Sequence, residues 1–248
     1  MNLPNILLDK LKSANRILFF TGAGISAESG VDTFRGKGGL WNKMKPEELA
    51  SFDGFMRNPN LVWEWYQYRR KVVRNTTPNP GHRAIAEFEK YFDTIDVITQ
   101  NVDNLHRRAG SKNILELHGN IERNYCMECG KYYGVEEFLN SEEVPKCPEC
   151  GGMIRPDVVW FGENLPDGIY ETAVQRAQFS DVCFVVGTSA VVYPAAYIPT
   201  RAKEAGSFVV EINLEGTDIS GSLDLSFQGK SGEILPEILA AVKEIREN

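Results

Sequence analysis

At 248 residues, 42% hydrophobic and 25% charged, the chain has an ordinary globular composition and the length for one α/β domain carrying an insertion. A net charge of -7 leaves no cation excess to displace counterions, which argues against direct nucleic-acid binding as its task. No apolar run approaches the roughly 20 residues that cross a bilayer, and residues 1–16 are amphipathic and unlike a signal peptide. A cytoplasmic location, with no membrane partner and reduced cysteines, is therefore expected.

In chain order, residues 6–14 predict a helix that packs Leu7, Leu8 and Leu11 on a sheet. Residues 17–20 form a β-favouring apolar run, the pattern of a strand buried on both faces. Thr21, Gly22, Ala23 and Gly24 follow, then a polar segment with Ser26, Glu28 and Ser29. A buried strand entering a glycine turn brings backbone N–H groups to a phosphate, and side chains at Gly22 or Gly24 would hold it off. The usual dinucleotide fingerprint is incomplete: Ala27 takes the third glycine position, and no acid follows ~20 residues on. Taken alone, the loop fits a plain strand-to-helix turn equally well. Phe34 and Arg35 beside it are suited to stacking on a ring and neutralising phosphate.

Residues 37–39 read as a loop, and 46–49, 54–56 and 60–73 as successive helices, with Leu61, Trp65, Tyr68 and Val72 at helical spacing. A Pro/Gly break at 76–81 precedes a helix over 82–91. Apolar strands are then predicted at 95–99, 114–117, 158–161, 182–186 and 208–212. Helical patterns at 102–109, 169–179 and 194–205 lie between several of them, and a last helix covers 234–246. The alternation predicts an α/β fold, a mostly parallel sheet with helices on both faces. The strands end in Gln100, Asn101 and Asp103; in His118 and Gly119; in Gly187, Thr188 and Ser189; and in Asn213 and Glu215. In an open parallel sheet these ends converge on one ligand crevice.

Cys126, Cys129, Cys147 and Cys150 form two CxxC knuckles with 17 residues between them, inside the range for a tetrahedral Zn²⁺ site. Four sulfur ligands close the coordination sphere, so the metal is expected to be structural. Cys183 sits in an apolar strand and reads as a buried, inert thiol.

Of the three histidines, His82 and His106 read as packed or capping residues within helices. His118 stands at a strand end, at the mouth of the crevice, where an imidazole serves as a general base near neutral pH. Asn101 and Asp103 suit either a helix cap or a ligand contact, and Glu215 suits ribose hydroxyls. Tyr66 and Arg69 share a helix face; on spacing alone an exposed arginine shielding a half-buried tyrosine is the plainer reading.

The segments GAGISAESG, TFRG, TQNVDNLH, ELHG, VVWFGE, GTS and INLE, with the two knuckles, occur in one order. From about residue 15 to its end the chain resembles the sirtuins, NAD-dependent protein lysine deacylases. Tyr66 and Arg69, separated by two residues in the helical insertion, and TFRG also resemble the branch that removes succinyl and malonyl groups. The resemblance implies a Rossmann-like NAD-binding domain (1–36, 76–119 and 156–248) and a small domain of two insertions, helical (37–75) and zinc ribbon (120–155). It places NAD on Gly22, Ala23, Gly24, Phe34 and Arg35, with Gln100, Asn101 and Asp103 towards the nicotinamide. Gly187, Thr188, Ser189, Asn213, Glu215 and Ser231 would hold the adenosine end. An acyl-lysine peptide would pair with Val159, Trp160 and Phe161, and its acyl group would meet Tyr66 and Arg69. The implied products are nicotinamide, free lysine and 2′-O-acyl-ADP-ribose, with His118 as base and Asn101 orienting the ribose and a water. ADP-ribosyl transfer or NAD hydrolysis on the same scaffold, and a zinc-ribbon binding module, are the alternatives. Asp32 departs from the family pattern, where proline is usual.

Overall fold

The computed structural model describes residues 3–34, 39–42 and 44–247. Its helices are α1 (Asn5–Ser13), α2 (Ala23–Ala27), α3 (Pro46–Leu49), α4 (Phe52–Arg57), α5 (Pro59–Arg74), α6 (Pro80–Phe88), α7 (Leu105–Ala109), α8 (Ile169–Gln178), α9 (Ile198–Glu204) and α10 (Ser231–Glu247). The strands are β1 (Arg16–Thr21), β2 (Thr94–Thr99), β3 (Ile114–Glu116), β4 (Gly119–Cys126), β5 (Tyr132–Gly134), β6 (Ile154–Val158), β7 (Val182–Val186), β8 (Phe208–Asn213) and β9 (Leu225–Gln228). None of the described helices is long and apolar enough to cross a membrane.

A six-stranded sheet runs in the order β3-β2-β1-β7-β8-β9, with every neighbouring pair parallel. The central strands β1 and β7 are almost wholly apolar because both of their faces are covered, and alternation within each run sorts the two cores. Ile17, Phe19, Phe184 and Val186 pack with Leu7, Leu11, Phe88 and Ile238 beneath α1, α6 and α10. Leu18, Phe20, Cys183 and Val185 point the other way, onto Ala173, Ala177, Ile198 and Ala202 of α8 and α9. Each face hides apolar area worth tens of kcal/mol in gross terms, which offsets the ordering entropy of the chain.

β4, β5 and β6 form a separate antiparallel sheet in the order β5-β4-β6. The strand expected at 158–161 of the parallel sheet is therefore misplaced. The pairing strand is Ile154–Val158, and it belongs to the sheet of the cysteine knuckles. Val159, Trp160 and Phe161 run on from it towards the helical insertion, where Phe161 N donates to Ala50 O at 2.8 Å. The helix expected over 102–109 begins only at Leu105, because Asp103 Oδ1 accepts from Leu105 N and Asn104 takes a left-handed φ of 61°. The helical pattern at 194–205 divides into a 3₁₀ turn (Ala195–Tyr197) and α9.

The two insertions are packed on each other. Trp63 of α5 shares a cluster with Cys126, Tyr133, Cys147 and Ile154. Gln67 Nε2 donates to Phe138 O and Leu139 O, and the fully buried Arg70 donates to Ile121 O, Gln67 Oε1 and Asn124 Oδ1.

Candidate functional site

The strand order reverses between β1 and β7, whose connections leave in opposite directions and open a crevice beyond their carboxyl ends. Gly22, Gly24 and Gly187 meet there. A Cβ on Gly22 would lie 2.7 Å from Thr188 Cβ, and one on Gly24 would lie 2.7 Å from Gly187 Cα. Gly187 itself has φ of 59°, a conformation that favours glycine. The missing side chains of Gly22 and Gly24 also let the β1 and β7 loops touch, and Gly24 N donates to Gly187 O at 2.7 Å.

Behind this seam lies a buried polar web. Asn101 Nδ2 donates to Gly22 O at 2.9 Å and to Ser26 Oγ at 3.2 Å, and Ser26 Oγ donates to Asp103 Oδ2 at 2.6 Å. Burial pushes the Asp103 carboxyl above its ordinary range, while the bonds from Ser26 Oγ and Leu105 N oppose that shift. Asp103 thus caps a helix through Oδ1 and joins the crevice web through Oδ2. Ser26, to which the sequence assigns no role, is the hub, and its only signal there is a serine just past a glycine turn.

A second strand of the web runs along the crevice. Gln100 Nε2 donates to Thr188 Oγ1 at 2.9 Å, and Asn213 Nδ2 donates to Thr188 O at 2.9 Å. His118 sits in the turn between β3 and β4, with Nδ1 at 3.0 Å from Gln100 O. A carbonyl only accepts, so this bond assigns the proton to Nδ1 and makes Nε2 the basic nitrogen. Gly119 fixes the turn: its φ is 80°, and a Cβ would fall 2.2 Å from Asp157 O. Val159 N then reaches His118 O at 3.0 Å, which ties the segment after β6 to the crevice.

Glu215 and Ser189 are exposed at the crevice rim. Ser231, at the start of α10, donates to Glu28 Oε1 at 2.8 Å. Ala23 opens α2, and Arg35 lies outside the described residues.

One wall is aromatic. Phe34 stacks on Trp41 at 5.2 Å, Trp41 on Trp65 at 6.0 Å, and Phe161 meets Trp41 edge-on at 6.1 Å. Arg69 lies in this wall, only 4% exposed, with its guanidinium 5.1 Å from the Phe34 centroid. An exposed arginine is thereby excluded. Burial lowers its pKa, opposed first by the charge of Asp32 and then by Tyr66. Tyr66, also buried, accepts a hydrogen bond from Trp160 Nε1 at 2.9 Å, and burial pushes its phenol up to about 12.

The four knuckle cysteines bring their sulfurs within 4.8 Å of one another, with Cys126–Cys150 at 3.4 Å and Cys129–Cys147 at 3.7 Å. Tetrahedral Zn–S bonds of about 2.3 Å require S···S separations of about 3.8 Å, so the donor set fits one Zn²⁺. Cys183 is fully buried in β7, and burial raises its thiol pKa, as an inert thiol requires.

Comparison with known proteins agrees with this geometry. A family model described as Sir2 family matches residues 22–194. NAD-dependent protein deacylase 2 of Pyrobaculum aerophilum is 56% identical, over 95% of this chain and 94% of that protein. A solved Sir2 homologue in complex with NAD is 43% identical with a TM-score of 0.92, covering 98% of this chain and 95% of that one. A Sir2 variant solved with a deacetylated p53 peptide and 3′-O-acetyl ADP-ribose is 35% identical with a TM-score of 0.83, covering 97% of each chain.

Proposed function

The chain belongs to the Sir2 family and is an NAD-dependent protein deacylase, and on that premise we propose that it removes succinyl and malonyl as well as acetyl groups from lysine. The observation that carries the acyl preference is Arg69, a buried guanidinium held against Phe34 in the crevice wall, next to the protonated Tyr66. Burial makes this cation costly, and the charges of Asp32 and Asp103 only partly offset that cost, so a carboxylate on the acyl chain would add a direct partner.

Bound NAD⁺ supplies the ribosyl carbon to which the acyl oxygen adds, with nicotinamide as the leaving group. In this proposal Gly22, Ala23, Gly24, Phe34 and Arg35 hold its central part, and Gln100, Asn101 and Asp103 hold the nicotinamide side. Gly187, Thr188, Ser189, Asn213, Glu215 and Ser231 hold the adenosine end. Both amide hydrogens of Asn101 are committed to Gly22 O and Ser26 Oγ, so its amide oxygen is what orients the ribose and a water. His118, protonated at Nδ1 by its bond to Gln100 O, takes a ribose hydroxyl proton at Nε2. The peptide lies as a strand along Val159–Phe161, between the sheet-bearing part of the chain (1–36, 76–119 and 156–248) and the two insertions (37–75 and 120–155). Phe34 and its aromatic neighbours keep water from the acyl chain. The 2′ oxygen freed of its proton would bond to the acyl carbon, water would complete the release, and free lysine and 2′-O-acyl-ADP-ribose would leave. The deacylase name of the Pyrobaculum relative favours this over ADP-ribosyl transfer.

Arg69→Met tests the acyl preference. A charge-assisted contact is worth about 1.5–3 kcal/mol, so kcat/KM on succinyl-lysine should fall roughly 10–150-fold, and that on acetyl-lysine far less. Equal losses on both substrates would make Arg69 a structural residue.

A further inference from the structure

Trp160 is expected to meet the peptide through its backbone, yet its indole also makes the hydrogen bond that Tyr66 Oη accepts. Trp160 is held at its backbone and on its ring. Trp160 N donates to Glu163 Oε2 at 2.8 Å, the Arg155 guanidinium lies 3.3 Å from the ring centroid, and Phe55 packs at 5.1 Å. Arg155 is itself bound by both oxygens of Glu163 and by Val158 O, so this clamp fixes the indole relative to β6. From that fixed point Nε1 donates to Tyr66 Oη at 2.9 Å, with both side chains buried.

A phenol has one proton and accepts through the remaining lone pairs. With the indole N–H on one side of Oη, the hydroxyl proton is turned to the other side, because two donor hydrogens repel. Burial keeps that proton on the oxygen, as the pKa of about 12 requires. We propose that Trp160 is a positioning residue for acyl selectivity: its indole N–H aims the Tyr66 hydroxyl so that it donates to the carboxylate of an acidic acyl group. This rests on the acidic-acyl reading of Tyr66 and Arg69. It assigns to the Glu163–Arg155–Trp160 clamp a task in discrimination between substrates. A neutral acetyl group has no carboxylate to accept the aimed proton, so it is little affected.

The test is a double-mutant cycle on succinyl- and acetyl-lysine peptides, with kcat and KM measured separately for wild type, Tyr66→Phe, Trp160→Phe and the double variant. One neutral hydrogen bond predicts that Trp160→Phe lowers the succinyl-to-acetyl ratio of kcat/KM by roughly three- to tenfold, chiefly through the succinyl KM. The double variant should show no lower ratio than Tyr66→Phe alone, because Trp160 acts through that hydroxyl. Should Trp160→Phe disturb the fold, benzothienylalanine at 160 keeps the ring shape and removes only the N–H, and the same shift is expected. A ratio within twofold of wild type, or an effect that adds in full to that of Tyr66→Phe, overturns the proposal. If Tyr66→Phe lowers the ratio and removal of the indole N–H does not, the positioning role alone fails. If Tyr66→Phe leaves the ratio unchanged, the acidic-acyl reading falls and this inference with it.

Discussion

Three histidines of one residue type are given three different environments by the fold. His118 lies half-buried at the crevice with one ring nitrogen assigned. His82 and His106 are buried side by side, their rings 4.8 Å apart, with His106 Nε2 at 2.9 Å from Thr21 Oγ1. Burial lowers the pKa of His106 to about 4 and that of His82 well below its ordinary value, where the neighbouring His106 adds to the effect. Both are therefore neutral when folded, whereas the unfolded chain protonates them below about pH 6.5. The stability they contribute is complete above that pH and is lost as pH falls towards 4, by roughly 3 kcal/mol at most for His106. Urea unfolding of wild type and His106→Gln should show a gap in midpoint that narrows between pH 7.5 and 5. A gap constant over that range would contradict the assignment. The sequence told His118 from the other two by its place at a strand end. It could not show that His82 and His106 touch, since that contact depends on how α6 packs on α7.

At the scale of elements, α5 and the cysteine knuckles hold each other in place. Arg70 reaches from α5 to Ile121 O and Asn124 Oδ1 of β4, and burial lowers its pKa to about 10. Trp63 lies against the cysteine cluster and donates to Ser141 O at 3.1 Å. Chelation should release one zinc per chain and red-shift tryptophan emission as Trp63 meets water, with recovery on adding Zn²⁺. Unchanged emission after complete metal removal would contradict this coupling. The spacing of the knuckles was legible because two thiolates of one CxxC reach one metal whatever surrounds them. α5 was legible within a residue at each end, from its helical apolar spacing and the Asn58-Pro59 start, where Asn58 Oδ1 accepts from Leu61 N. β9 is not legible in the same way: it is an edge strand whose residues are alternately half-buried and exposed, so it carries no continuous apolar run. Val158 was assigned to the wrong sheet because a short apolar run carries no record of its partner strand.

For the whole molecule, the parallel sheet matters because its order reverses between β1 and β7 and collects the strand ends in one place. The sequence predicted that convergence from the polar residues after each strand. It could not supply the inner web: Ser26 as hub, Gly24 bonded to Gly187, and the clamp around Trp160 join residues far apart in the chain. Arg69 shows the same limit, since its helical spacing fits an exposed surface and only the packing of Phe34, Trp41 and Trp65 buries it. NAD-dependent deacylation predicts that acyl removal is coupled to NAD⁺ cleavage. Acetyl-, malonyl- and succinyl-lysine peptides incubated with and without NAD⁺, and followed by mass spectrometry, measure it directly. We expect no reaction without NAD⁺ and, with it, one nicotinamide and one acyl-ADP-ribose for each lysine freed. Acyl loss without NAD⁺, or ADP-ribose joined to the peptide with no acyl-ADP-ribose formed, would contradict it.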